Sequence, residues 1–222
     1  MPVLTAGNAR RFGALFVIEA ASTTAYGVVF TFLPIAAPAL PSWVVPFALL
    51  SQQVTTATMR WLAGLWADRH DSRRLLRWAI LVGAVGVAGG MRAAHPWAVI
   101  AGMALFGIGF GTVRTATLLG MLRRAGTAQT STASVLWNLA FDSGTGLGAA
   151  AGGVVFQTAG HPATFAAAGL LLICTLAVPN HGSSRHLRLQ DLADRPERTE
   201  ACRDGGEQRN DERSTQDHGH QP

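Results

Sequence analysis

Apolar residues run in six long stretches, at about 12–34, 43–67, 75–93, 97–122, 133–156 and 163–179, divided by short polar and helix-breaking groups. About 20 residues in a helix cross a hydrocarbon core roughly 30 Å thick, so each stretch predicts a helix of spanning or near-spanning length. The dividers are Pro34, Pro38 and Pro41, then DRHDS at 68–72, His95-Pro96, AGTAQTST at 125–132 and GHP at 160–162. Connectors this short predict antiparallel neighbours. The first stretch follows Arg10-Arg11, as a signal peptide's would, but its length and the five similar stretches behind it predict an uncleaved first span. The expected organisation is an N-terminal segment at 1–11, a six-helix transmembrane bundle at 12–179 and a polar tail at 180–222. The fold class is an all-α polytopic membrane protein.

Arginine placement orients the bundle. Short loops rich in positive charge stay cytoplasmic. Arg10 and Arg11 precede the first span, Arg69, Arg73, Arg74 and Arg77 join the second and third, and Arg123 and Arg124 join the fourth and fifth. Seven more arginines follow the sixth, whereas the opposite face has Arg92 alone. Both termini are therefore expected in the cytoplasm of a multi-pass plasma-membrane protein. Trp43, Trp66, Trp78 and Trp97 fall at span ends, where an indole suits the headgroup layer.

Composition agrees with this pattern: 49% of the 222 residues are hydrophobic and 14% charged, against about 25% charged in soluble domains. The net charge of +5 conceals two regions. Residues 1–180 carry eleven arginines against four acids, a net of +7, and residues 181–222 carry seven against nine, a net of −2. The arginines are scattered between apolar runs and make no basic face for nucleic acid. Cys174 and Cys202 give neither a disulfide framework nor metal-ligand spacing, and two histidines near the C-terminus are too few for a metal site. No cofactor is expected. The tail has 16 charged residues in 42 and almost no bulky apolar groups, a composition that predicts disorder.

Residues 141–146, FDSGTG, carry an acid followed by Ser-Gly, as aspartic proteases do. That chemistry needs two carboxylates facing each other on water-accessible loops. Here Asp142 lies inside an apolar stretch, and Asp68 and Asp71 fall at the membrane face. An intramembrane hydrolase is a remote alternative.

Two motifs point elsewhere. GLWADRHDSRRLL at 64–76 resembles the motif of the major facilitator superfamily that joins the second and third helices of each six-helix half, approximately G-x-L-A-D-R-x-G-R-R-x-x-L: Gly64, Ala67, Asp68, Arg69 and Arg73 match it without a gap, and Arg74 lies in the same loop. Trp66, Asp71 and Ser72 depart from it. In helix five, Gly144, Gly148, Gly152 and Gly153 resemble the superfamily's antiporter motif, with Ala149 in the place of its proline. Glycines four apart also make a smooth stripe for close helix packing, and helix four has a comparable set in Gly107, Gly109 and Gly111. The runs at 27–37, 106–118 and 134–149 are similar to the seventh, tenth and eleventh helices of bacterial efflux-type members. The resemblance covers about residues 10–180 and implies the C-terminal half of a twelve-helix secondary transporter, a 3+3 half of that fold.

Four charges lie inside the apolar stretches: Glu19, Arg60, Arg114 and Asp142. Each falls about 7 to 9 residues from its cytoplasmic helix end, or roughly 10 to 14 Å. One layer can hold all four, with two acids balancing two arginines. They are candidates for proton coupling or substrate binding, with Gln52, Gln53 and Asn138 as further polar candidates. The expected function is transport of a small molecule, as proton-coupled efflux, by a chain partnered with the bilayer and with a second six-helix half or a second copy. A non-transporting or degenerate membrane interaction protein is the alternative, because six helices supply one wall of a two-walled cavity.

Overall fold

A computed structural model describes residues 6–36, 40–66, 72–91, 95–125 and 130–178. The expected tail, with Cys202 and the C-terminal histidines, lies outside the described residues, as do Asp68, Arg69, Asp71 and Arg92.

Among the described residues five α-helices follow one another: α1 (Ala6–Ala36), α2 (Val44–Trp66), α3 (Ser72–Met91), α4 (Pro96–Ala125) and α5 (Thr130–Cys174), closed by a 3-10 turn at Thr175–Ala177. No strand occurs among the described residues. Helix α1 begins six residues before the expected span start at 12. Pro96 opens α4, where a missing N–H costs nothing, and the His95 carbonyl accepts from the amides of Ala98 and Val99 at 3.1 and 3.3 Å.

The connector expected at 157–162 is a single-residue break within α5. Gly160 adopts φ 80 and ψ 178, a region essentially closed to residues with a Cβ. Pro162 then falls at the start of the limb that follows, where its fixed φ suits a helix. The expected sixth helix is this second limb. Thr164 Oγ1 donates to the Gly160 carbonyl at 2.9 Å, satisfying an acceptor at the break.

Among the described residues three segments are long and apolar enough to cross a membrane: Phe12–Ala36, Pro96–Arg123 and Thr130–Ala177. Helix α2 is more polar because Ser51, Gln52, Gln53, Thr55, Thr56, Thr58 and Arg60 occupy its centre and second half. Helix α3 is more polar because Arg73, Arg74 and Arg77 open it. These are the helices of a membrane protein, with large apolar side chains turned outward on every helix: Phe30, Trp61, Val85, Leu105 and Val154 are all exposed.

Helix α4 is the hub. It packs on α2, α3 and α1, while α5 packs on α1 and α3. Glycine spacing sets this arrangement. An added Cβ on Gly107 or Gly111 meets the α2 backbone at Gln52 or Thr56, and one on Gly102 or Gly109 meets the α3 backbone at Gly86 or Gly83. The first pair is separated by four residues and the second by seven, so each occupies its own face. Threonine and serine hydroxyls fill the α2–α4 seam. Ser51, Thr55 and Thr56 donate to the carbonyls of Ile100, Ala104 and Gly107 at 3.2, 3.0 and 3.3 Å, and interhelical bonds of this kind contribute on average about 0.6 kcal/mol each in a membrane.

The α1–α5 seam uses the expected glycine stripe. An added Cβ meets Thr23 and Ala20 from Gly144, the Thr24 carbonyl from Gly148, and Val28 and Phe32 from Gly152. Gly153 stands apart, with only the Phe32 ring in ordinary contact at 3.7 Å. Gly64 is exposed and has no neighbour within 4 Å of an added Cβ among the described residues.

Gly148→Val is expected to lower stability by roughly 1–3 kcal/mol or more, since a rigid carbonyl cannot yield to the new side chain. Gly146→Val on the same helix, with nothing within 4 Å, is the control and should change little. Thermal unfolding in detergent, followed by the loss of monodisperse protein, compares the two. Equal effects would contradict this account of the seam.

Candidate functional site

The described part of the bundle contains one ion pair between side chains. Glu19 of α1 is fully buried, and its Oε1 lies 3.4 Å from Nε of Arg114 on α4, whose side chain is 11% exposed. These two atoms make contact without hydrogen-bond alignment: neither has a hydrogen-bond partner. The other carboxylate oxygen is held firmly, because Thr117 Oγ1 donates to Glu19 Oε2 at 2.6 Å. Trp137 Nε1 of α5 in turn donates to Thr117 Oγ1 at 3.4 Å. An indole, a hydroxyl and a carboxylate thus form one directed chain across α5, α4 and α1.

Aromatic rings surround the guanidinium. Its central carbon lies 4.0 Å from the Phe141 ring centroid, 4.3 Å from that of Trp137 and 5.7 Å from that of Phe110. A desolvated cation–π contact contributes about 2 kcal/mol, so the rings compensate part of the water Arg114 has lost. Tyr26 stacks on Phe110 with centroids 4.8 Å apart and planes 4° from parallel, extending this aromatic wall along α1.

Local sequence explains the geometry. Arg114 and Thr117 stand three apart and Glu19 and Thr23 four apart, spacings that share a helix face. Thr23 Oγ1 lies 3.1 Å from the Ala140 carbonyl, tying α1 to α5 one turn from the ion pair. Two apolar clusters flank the polar residues: Ile18, Phe110 and Val113 belong to one, and Leu15, Met121, Ala133 and Trp137 to the other. The charges occupy the seam between them.

The four charges expected in one layer divide into two kinds. Glu19 and Arg114 meet directly. Arg60 and Asp142 are exposed, and both act electrostatically on Arg114. Gln53 and Asn138 are exposed as well, whereas Gln52 is buried and its amide donates to Thr56 Oγ1 at 3.3 Å. Most of the motif loop lies outside the described residues, Asp68 and Arg69 among them; nothing is described of the Arg73 side chain, and Arg74 is exposed. Residues 141–146 are helical, so the loop that aspartic-protease chemistry requires is not formed. Among the described residues no three His, Cys, Asp or Glu side chains cluster as metal ligands.

Sequence reasoning missed Thr117, which organises the site. Its spacing from Arg114 was a usable signal, but threonines are frequent in these helices and only the cross-helix register singles this one out. Trp137 of α5 was missed as well; it is 7% exposed and belongs to the site.

No protein-family model matches the chain, and no curated protein matches it in sequence. Among solved structures, the in meso crystal structure of the POT family transporter PepTSo matches with a TM-score of 0.64 and 16% sequence identity. The match covers 76% of this chain and 36% of that one, so the chain spans about a third of the protein it matches. This likeness shows a transporter-like helical fold.

Removing one member of a buried pair strands the other, at a cost of about 3–5 kcal/mol, while removing both relieves it. Glu19→Gln and Arg114→Gln are each expected to destabilise the bundle, and the double variant should recover more than half of the summed loss. Unfolding in detergent measures all four proteins. Strict additivity would show that the pair is not coupled.

Proposed function

We propose that the chain is one wall of a membrane transport pathway for a small molecule, with transport driven by a proton gradient in the direction of efflux. The observation that carries the reading is the buried Glu19–Arg114 pair with its aromatic wall, set beside an exposed polar face that includes Asp142. Charged side chains inside membrane helices are costly, and where they occur they mark ion and substrate paths. The POT family transporter likeness supports the same reading at the level of fold.

In this reading the chain makes six membrane crossings, because α5 turns back at Gly160 and its two limbs cross separately. Both termini face the cytoplasm of the plasma membrane, and the outward apolar side chains meet lipid. Gln53, Arg60, Asn138 and Asp142 line one side of a cavity whose other side is a second six-helix wall. Asp142 exchanges the coupling proton, since it is exposed to that cavity, whereas Glu19 holds Arg114 in position. The partly exposed rings of Tyr26 and Phe141 present flat apolar surface to the transported molecule, with Phe110 buried behind them. Arg114 stays charged throughout.

Proteoliposomes containing the full chain test this with a panel of labelled amino acids, short peptides and organic cations under an imposed pH gradient. At least one compound should move faster than in protein-free vesicles, and a protonophore should abolish the difference. Asp142→Asn keeps the size and hydrogen-bonding capacity but not the titrating charge, and should reduce gradient-driven movement at least about tenfold. No gradient-dependent movement by inserted, monodisperse protein, or an undiminished rate in Asp142→Asn, would contradict the reading.

A further inference from the structure

Two opposite charges remain without a side-chain partner within the bundle. Among the described residues, neither Arg60 nor Asp142 has an ion pair or a side-chain hydrogen bond to a neighbour. An exposed, unpaired charge in a membrane helix costs about 2.5–3.5 kcal/mol on insertion scales near the bilayer centre. The two lie at one level. Thr115 Oγ1 meets the Arg60 carbonyl at 3.4 Å, and the ring of Phe141, next to Asp142, lies 4.0 Å from the neighbouring Arg114 guanidinium.

Each charge belongs to a polar strip distinct from its helix's apolar surface. On α2 the exposed residues Gln53, Ala57, Arg60 and Gly64 follow one face, while Leu50, Val54, Trp61 and Leu65 follow another. On α5 the exposed residues Asn138, Asp142 and Gly146 repeat every four positions, beside Leu139 and Leu147. Contacts put these helices on opposite edges of the bundle: α2 packs mainly on α4 and α5 mainly on α1, with α4 against both α1 and α5 between them and α3 behind against α4 and α5. Residue pairing fixes their directions. Successive contacts of α2 with α4 and of α1 with α5 rise together in number, so each pair is parallel. The contacts of α1 with α4 run oppositely, Glu19 with Thr117 and Tyr26 with Phe110, so α2 and α5 are antiparallel to each other.

We infer that the occupant of this face is a second copy of the chain, related by a two-fold axis along the membrane normal, with Arg60 of each copy paired to Asp142 of the other. Such an axis in front of α4 and α1 carries the α2 edge of one copy onto the α5 edge of its partner, as an isologous interface requires. It preserves depth, so charges at one level stay level, and it sets unlike charges opposite each other. Two reciprocal ion pairs form while like charges remain apart, and each pair opens when its Asp142 takes up the coupling proton. This rests on the transport reading above and names the second wall of that cavity.

The test uses full-length chain with Cys174 and Cys202 changed to Ser. Ala57 and Gly146 are exposed and lie one turn from Arg60 and Asp142 in the same direction, because the helices are antiparallel. Copies bearing Ala57→Cys and copies bearing Gly146→Cys, carrying different tags, are co-expressed and oxidised in the membrane. Disulfide-linked dimers should form between the two kinds and not within either. Arg60→Asp should lower the yield about tenfold, and adding Asp142→Arg to the same chain should restore it. Arg60→Gln serves if the reversed charge prevents insertion, and should lower the yield in the same direction. Absence of the mixed dimer at normal membrane levels, equal linking within one kind, or no restoration by the exchange overturns the self-pairing. Transport distinguishes the two proposals: gradient-driven movement by protein that forms no mixed dimer leaves transport standing and removes this partner. Linked dimers that move nothing leave the partner standing and remove transport.

Discussion

A carboxylate and a guanidinium cannot be buried among apolar helices unless each compensates the other, and the packing around Glu19 and Arg114 follows from that constraint. The contact at 3.4 Å lacks hydrogen-bond alignment, so Coulomb attraction alone does not hold it. Thr117 fixes one carboxylate oxygen at 2.6 Å, and Phe141 and Trp137 face the guanidinium. These partners come from three helices. To keep the charges satisfied, α1, α4 and α5 must hold their mutual register, and a slip of one turn would separate every one of these groups.

Glycine makes that register attainable. The stripe Gly144, Gly148 and Gly152 lets α5 approach the α1 backbone so closely that any Cβ on Gly144 or Gly148 would strike it. The glycines of α4 do the same for α2 and α3 on two further faces. Apolar burial supplies little orientation in a membrane protein, because lipid tails are as apolar as leucine. Close backbone approach, hydroxyl-to-carbonyl bonds and the one buried charge pair therefore carry the specificity that a water-excluding core carries in a soluble protein. The polar character of α2 is a consequence: its Ser51, Thr55 and Thr56 hydroxyls lie within hydrogen-bond distance of α4 carbonyls, those of Ser51 and Thr55 shared with carbonyls of α2 itself.

Much of this was legible in the sequence, and the reasons differ by residue. A charge inside an apolar run is visible by inspection, so Glu19, Arg60, Arg114 and Asp142 were all found. Their division into a buried pair and two exposed residues was not, because pairing depends on cross-helix register that one-dimensional spacing does not contain. The Gly144, Gly148 and Gly152 periodicity announced a packing face without naming α1 as its occupant. Gly160-His161-Pro162 read as a connector, and the chain instead breaks at Gly160 alone, since a glycine at φ 80 followed by a helix-opening proline needs no loop. Gly64 belongs to the resembled motif, yet it is exposed and nothing described approaches it.

The central claim is that the Glu19 carboxylate is held against Arg114 in the membrane-embedded protein. Solid-state NMR of the full chain in lipid bilayers, labelled at glutamate side-chain carboxyl carbons and arginine side-chain nitrogens, measures that proximity through carbon–nitrogen dipolar coupling. A strong coupling matching the 3.4 Å oxygen–nitrogen contact is expected, assigned by its loss in Glu19→Gln and weakened in Thr117→Val as the carboxylate loses its donor. A spectrum with no such coupling, in protein that is folded and inserted, would contradict the account.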